Sequence, residues 1–290
     1  MSDYQLIDFG HGRKLESLGG YTVDRPSPAA EFAEPALSER VWGQADACYQ
    51  PEHRVWEFRR PWPAGLALDA GPFRLPFRPT PFGHIGCFPE QAAQWTWLAQ
   101  WLARLQVEHV LTDSPAANCL NLFAHTGGST LAMASAGATV THVDSARPSV
   151  QAARQAAADS GWGTASIRYL IEDASRFVSR EVRRGRRYQA IVLDPPSYGH
   201  GPDGKTWRIG RDLWPLLDEC LALLEGPGRL LLLTGHGERP DEREIGDYLR
   251  RNFPREPAAR PLQSSIGRSE LKDRNGRSLD AGFFVRVWTD

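Results

Sequence analysis

Cysteine is scarce in this chain of 290 residues: Cys48, Cys87, Cys119 and Cys220 lie far apart and form no CxxC pair. That spacing excludes a zinc finger and predicts no metal site. Charge of one sign is also lacking. Against 34 Lys and Arg stand 35 Asp and Glu, for a formal net charge of −1. No global attraction to nucleic acid follows from that balance, although charge can cluster locally. Lysine is nearly absent, with only Lys14, Lys205 and Lys272, so arginine supplies almost all the cations. No apolar run approaches the roughly 20 residues of a membrane span, and the opening "MSDYQLIDFGHG" has no basic region followed by an apolar core. The expectation is a soluble, cytoplasmic protein with reduced thiols.

What is present divides in two. Residues 1–80 hold aromatics, prolines and glycines in short pieces such as "YQLIDFGHGRKLESLG" and "HRVWEFRRPWPAG". They predict a small β-rich domain in which "FGHG" closes a hairpin, because glycine tolerates the positive φ of a tight turn. Residues 81–290 predict a larger domain that opens with a linking segment and helix over 81–110. There "PEQAAQWTWLAQWLARLQ" places Ala92, Trp95, Leu98, Leu102 and Leu105 at helical spacing behind Pro89 and Glu90. Trp95, Trp97 and Trp101 on this helix read as structural. From Cys119 onward strands alternate with helices, the pattern of an α/β doubly wound sheet with helices on both faces. The expected strands are "CLNLF", "ATVTHVD", "ASIRYLI", "YQAIVLD", "GRLLLLT" and a closing "DAGFFVRVW".

The strand ends carry the chemistry. "FAHTGGST" follows the first strand, and Gly127 with Gly128 lets backbone approach a ligand at a helix start. Asp144 ends the second strand, where an acid can accept both hydroxyls of a ribose, or simply cap a helix. Asp173 follows the third strand in "EDASRF", with a helix N-cap as the plainer reading. "DPPSYG" follows the fourth. Pro195 and Pro196 lack the amide a ladder needs and stop that strand, leaving Asp194 at its end. In an open parallel sheet these ends converge on one cleft. A nicotinamide oxidoreductase shares the first two features, but the chain lacks the third glycine of GxGxxG. His236, after the fifth strand, is a candidate general base or a solvent-facing loop residue. "RRGRR", Arg183 to Arg187, reads as a solvated turn, with weak nucleic-acid binding as the other possibility.

"NLFAHTGGSTLAMASAGATVTHVDSA", "YLIEDASRFVSREVRRGRRYQAIVLDPPSYGHG" and "FGHIGCFPEQAAQW" resemble the class I S-adenosylmethionine-dependent methyltransferases related to bacterial large-subunit (23S) ribosomal RNA methyltransferases. The opening residues resemble the small N-terminal β domain of a bacterial branch of that family. The resemblance implies a Rossmann-like class I sheet, S-adenosyl-L-methionine as cofactor and RNA as substrate. It further implies that Phe123, His125, Thr126, Gly127 and Gly128 line the methionine part, that Asp144 holds the ribose and that Ser145 neighbours the adenosine. Asp173 with Ala174 would read the adenine, while Asp194, Pro195 and Pro196 would face the methyl group. Relatives often carry tyrosine where this chain has His125. "HIGCFPEQ" resembles a segment that closes over the cofactor, with Phe88 and Gln91 as candidates beside Glu90, although a helix entry with an acid in its first turn serves equally.

After "DPPSYG", the run "HGPDGKTW" predicts a polar loop over the cleft. Lys205, Trp207 and Arg208 are candidates there to meet phosphate and base, or incidental surface residues. For an exocyclic amino acceptor, Asp194 and the Pro195 carbonyl would accept its hydrogens while Tyr198 stacks on an extruded base. The pattern has one residue extra before the aromatic. Methylation at cytosine C5 requires a cysteine nucleophile, and the runs after the fourth and fifth strands, "DPPSYG" and "LLLLTGHGERP", hold none, with Cys220 expected in a helix and Cys119 in the buried first strand. An amino or ring nitrogen is therefore the favoured acceptor, with a small-molecule or protein methyltransferase as the alternative.

Overall fold

His11 and Gly12, both at positive φ (50° and 71°), turn the strand Tyr4–Gly10 (β1) back onto Arg13–Leu18 (β2). Positive φ at both central positions matches the twist of a two-residue hairpin, so "FGHG" closes one as expected. The chain continues through Tyr21–Pro26 (β3), the single turn Glu39–Trp42 (α1), Ala47–Gln50 (β4) and Val55–Phe58 (β5). These strands form one sheet in the order β1-β2-β3-β4-β5, and Ala67–Asp69 (β6) pairs separately with Arg74–Pro76 (β7). Inside the sheet Glu16 is fully buried. It accepts from Arg25 at 2.5 and 3.1 Å and from the Tyr4 hydroxyl at 2.7 Å, with Lys14 Nζ at 3.1 Å. Its pKa falls to about 2 because these partners, Arg25 foremost, outweigh burial, the largest single influence.

The computed structural model describes residues 3–111, 116–200, 206–226, 228–237, 239–254 and 261–289. It divides into two compact units, Met1–Ala92 with Ser269–Ala281, and Ala93–Arg268 with Gly282–Asp290. The division falls at Ala92, beyond the residue 80 expected from composition. Residues 77–85 are tied back by Phe77 N to Leu66 O, Arg78 N to Ile85 O, and Tyr49 Oη to Pro81 O. A C-terminal segment also joins the first unit, because Leu271, Leu279 and Ala281 share one apolar cluster with Leu6, Phe9 and Ala30.

The second unit contains the helix Ala92–Leu111 (α2) from its second residue, then Asn118–Leu122 (β8), Gly128–Ser135 (α3), Thr139–Asp144 (β9), Arg147–Asp159 (α4) and Ile167–Ile171 (β10). Ala174–Arg183 (α5), Ala190–Leu193 (β11), Tyr198–His200 (β12), Thr206–Arg208 (β13), Ile209–Leu223 (α6), Arg229–Gly235 (β14) and Glu242–Asn252 (α7) follow. Gln263–Lys272 (β15) and Ser278–Thr289 (β16) run through both units. The main sheet has the order β10-β9-β8-β11-β14-β16-β15, parallel from β10 to β14 and antiparallel at β16. This is the α/β doubly wound sheet predicted, with one strand, β15, that composition did not announce.

Helices cover both faces. Leu120, Leu122, Val143, Ile191, Leu193, Leu231 and Leu233 share a cluster with α5, α6 and α7. Cys119, Val140, Ala190, Val192, Leu230 and Leu232 share another with α2 and α3. Burial on both sides explains why β11 and β14 read as unbroken apolar runs rather than alternating ones. The chain moves from the central β8 outward to β10, then crosses to β11 on the other side of β8. The sheet's switch point therefore lies between β8 and β11, where ligands of such sheets bind at the carboxyl ends.

Candidate active site

At the carboxyl end of β8 the backbone takes three left-handed residues in five: Phe123 (φ 54°), His125 (φ 46°) and Gly127 (φ 89°). For Phe and His that conformation costs on the order of 1–3 kcal/mol each, and it persists only where neighbours dictate it. Here Ala124 N donates to Val143 O and His125 N donates to Asp144 Oδ2 at 2.8 Å, pinning the loop to β9. Asp144 Oδ1 accepts from Ala146 N at 2.8 Å, so one carboxylate organises both strand ends with the exposed Ser145 between its contacts.

The two glycines are needed for different reasons. A Cβ on Gly127 would add strain at φ 89° and lie 3.0 Å from Ala153 Cβ, whereas one on Gly128 would lie 2.4 Å from the Trp95 ring. Backbone is thus packed tightly from behind, while Phe123, His125 and Thr126 stay partly exposed. Thr126 Oγ1 stands 3.2 Å from His125 Nδ1. Burial lowers the pKa of His125, opposed by the nearby carboxylates of Asp144 and Asp194. Asp194 N donates to Leu122 O at 3.4 Å and joins the end of β11 to the end of β8.

Glu172 N donates to Asp144 O at 3.0 Å and brings the end of β10 alongside. Asp173 caps α5, its Oδ1 accepting from Arg176 N at 2.9 Å, and Ala174 is the buried first residue of that helix. The capping reading of Asp173 therefore holds for one of its oxygens.

Beyond β11, Asp194 is half-buried and accepts from Thr234 Oγ1 at 2.8 Å across to β14. Pro195 is buried; Pro196 and Ser197 are exposed, and Tyr198 is 54% exposed. Ser197 Oγ donates to His236 O at 3.3 Å, so the segments after β11 and β14 meet. The exposed His236 ring lies against Gly282, where a Cβ would come 2.8 Å from Nδ1.

The loop expected after Gly199 is in part a small hairpin, β12 against β13, with Gly199 opposite Trp207. Lys205 lies outside the described residues. Trp207 is only 9% exposed, its indole donating to Pro196 O at 2.6 Å and its ring 5.1 Å from Phe123. A base-stacking role for Trp207 is thereby corrected: strand pairing turns the ring into the apolar cluster. Arg208 is exposed, its backbone N bonded to Asp212.

Phe88 and Gln91 belong to the first unit, at the 3-10 turn Pro89–Gln91, where Phe88 meets His84 edge to face and Gln91 is buried. In the arginine cluster Arg184 pairs with Glu181 and Arg187 with Glu225, and Arg180, just before it on α5, pairs with Glu172. Cys119 and Cys220 are buried with raised pKa values, Cys119 to about 12, because burial disfavours the thiolate. Neither is a nucleophile.

Sequence reasoning overlooked Thr234. A polar residue ending "LLLLT" beside the "DPP" strand was the available signal.

No family model matches this chain. A 117-residue stretch, 40% of the chain, is 35% identical to the ribosomal RNA large subunit methyltransferase K/L of Methylococcus capsulatus, but spans only 16% of that protein. The corresponding protein of Shewanella frigidimarina is 28% identical over 116 residues and is likewise spanned over 16%. Among solved structures, a protein from Streptococcus mutans described as an S-adenosylmethionine-dependent methyltransferase shares the fold at 14% identity. Its TM-score is 0.70, over 99% of this chain and 75% of that one. The crystal structure of the SAM-dependent methyltransferase from Agrobacterium tumefaciens is 33% identical, with a TM-score of 0.85 over 99% of this chain and 90% of that one. With that identity across nearly the whole of both molecules, and with glycine loop, strand-end acids and "DPP" gathered at one sheet edge, the chain belongs to the S-adenosylmethionine-dependent methyltransferases.

Proposed function

We propose that this enzyme methylates RNA, on an amino or ring nitrogen of a base, with Asp194 to Pro196 as the acceptor loop and the loop after β8 as the cofactor loop. The observation that carries the reading is the adjacency of these loops at the switch point, where β11 pairs with β8 and Asp194 N donates to Leu122 O at 3.4 Å. The RNA substrate rests on the matched stretch of the ribosomal RNA methyltransferases, which includes no more than a sixth of their length.

The residues present fit the cofactor. Gly127 and Gly128 leave room only for backbone, and Phe123, His125 and Thr126 would line the methionine part. Asp144 retains a lone pair on each oxygen for the ribose hydroxyls after serving His125 N and Ala146 N, and Ser145 would neighbour the adenosine. Asp173 Oδ2 would accept from the adenine amino group beside Ala174. When bound, S-adenosylmethionine supplies an electrophilic methyl group on a sulfonium, so the protein's task is mainly positioning.

Asp194 would accept an acceptor N–H together with the Pro195 carbonyl, orienting the nitrogen lone pair and taking up the released proton. Tyr198 is exposed enough to stack on an extruded base, with Arg208 nearby on β13 to meet phosphate. A cysteine-dependent C5 reaction has no support, since the cysteines of this unit are buried.

The test is transfer of labelled methyl from S-adenosylmethionine into ribosomal RNA from cells lacking the gene, followed by nucleoside mass spectrometry. A new methylated base dependent on Asp194 supports the reading. Labelling of protein or small molecules alone, or labelling unchanged in Asp194→Ala, overturns it.

A further inference from the structure

Trp207 is buried, yet it lies in a hairpin that pairs with no strand of the main sheet. Its contacts fall on both halves of the site. The ring meets Phe123 at 5.1 Å between centroids, and Phe123 is one of the two non-glycine residues held left-handed in the cofactor loop. The indole N–H donates to Pro196 O at 2.6 Å in the acceptor loop. The hairpin itself is fastened to that loop: Tyr198 pairs with Arg208, Gly199 with Trp207, and Ile209 N donates to Ser197 O at 3.1 Å.

From this geometry we infer that Trp207 is a positioning residue joining the two loops. It commits the Pro196 carbonyl and thereby leaves Asp194 and the Pro195 carbonyl as the oxygens that meet the acceptor. The inference rests on the reading of Asp194 to Pro196 as the acceptor loop. Two prolines in succession offer two carbonyls and no N–H, so an acceptor with donor hydrogens could be held in either of two registers. Binding one carbonyl to an indole removes that ambiguity. The ring's contact with Phe123 sets the same loop at a constant separation from the cofactor residues. A side chain used in this way is not replaceable by shape alone, because phenylalanine keeps the packing and lacks the donor.

The test compares Trp207→Phe with Trp207→Leu in the full chain, using labelled S-adenosylmethionine and ribosomal RNA from cells lacking the gene. Trp207→Phe is expected to bind S-adenosylmethionine within about twofold of the parent and to keep KM for RNA. Its kcat should fall roughly tenfold, the worth of about one hydrogen bond. Trp207→Leu should lose cofactor affinity as well, because Phe123 loses its ring partner. A raised KM with unchanged kcat in Trp207→Phe would make Trp207 a substrate contact, and unchanged kcat and KM would make it mere filler; either overturns the inference.

A second measurement needs no substrate. In protein labelled with 15N-tryptophan, the indole signal missing from Trp207→Phe should exchange slowly with solvent and shift when S-adenosylmethionine is added. Fast exchange with no shift overturns the inference. A parent that labels no RNA but shows the slow, shifting indole overturns only the substrate reading.

Discussion

Asp144 holds two backbone amides from different loops with separate oxygens, so replacing it disturbs loop shape and, on the proposed reading, the ribose contact. Asp144→Ala is expected to weaken S-adenosylmethionine binding by about 100-fold, the loss of two charge-assisted bonds, as read by calorimetric titration. On the proposed reading Thr234 belongs to the acceptor side, through its hydroxyl on Asp194. Thr234→Val keeps the shape and should lower kcat roughly tenfold with cofactor affinity unchanged; a matched loss of affinity would contradict that division of labour. His142, on β9 behind Gly127, titrates differently. Asn121 Nδ2 donates to Thr130 Oγ1, which stands 2.9 Å from His142 Nδ1, while the buried Nε2 faces no hydrogen-bond partner among the described residues. Burial, with smaller contributions from His125 and Arg154, lowers its pKa to about 3. The unfolded chain therefore binds a proton that the folded one refuses between pH 6.5 and about 3. Stability is full above pH 6.5 and falls by up to about 1.4 kcal/mol per unit of acidification below it. His142→Gln should flatten that limb in denaturant titrations between pH 6.5 and 5, before carboxylates titrate.

The first turn of α3 is a place where one methyl group decides whether the element fits. Gly128→Ala pushes a Cβ into the Trp95 indole, a flat ring already buried on α2, and should destabilise by about 1–3 kcal/mol in thermal unfolding. An unchanged melting temperature would mean that α2 shifts readily. At this scale most of the doubly wound half was legible beforehand, because apolar runs bounded by Gly, Pro and Asp mark buried strands directly. "YQAIVLD" and "GRLLLLT" became β11 and β14 for that reason. β15 escaped because "QSSIGRSELK" is polar and half-exposed along an edge, with no run to betray it. Around the proposed site the sequence was legible where backbone chemistry dictates residue type, at the left-handed Gly127, at Gly128 against Trp95, and at the prolines that follow the end of β11. Trp207 and Thr234 were misjudged or missed because their roles depend on which strands become neighbours, and no local pattern in "KTWRIG" or "LLLLTG" announces the partner.

At the scale of the whole molecule, the apolar cluster of the first unit is assembled from both ends of the chain, Leu6, Phe9 and Ala30 with Leu271, Leu279 and Ala281. Asp8, buried in β1, accepts from Ala36 N, Leu37 N and the Trp42 indole, and pairs with Arg277 of the β15–β16 turn. Arg277 also bonds Asp273 and the carbonyl of Glu34. Arg277→Ala should cost on the order of 2 kcal/mol, less than a wholly buried pair because the guanidinium is about a third exposed. Chemical denaturation would show it, and no shift in midpoint would mean that Asp8's other donors suffice.

That shared cluster also sets an order of events during synthesis. Phe9 leaves the ribosome long before Leu271 is made, and at about 5–20 residues per second the interval is on the order of tens of seconds. Strand β1 thus waits for its complete apolar surroundings until β15 and β16 are made, so the nascent chain should carry a protease-sensitive segment around Leu6 and Phe9 until that hairpin is released.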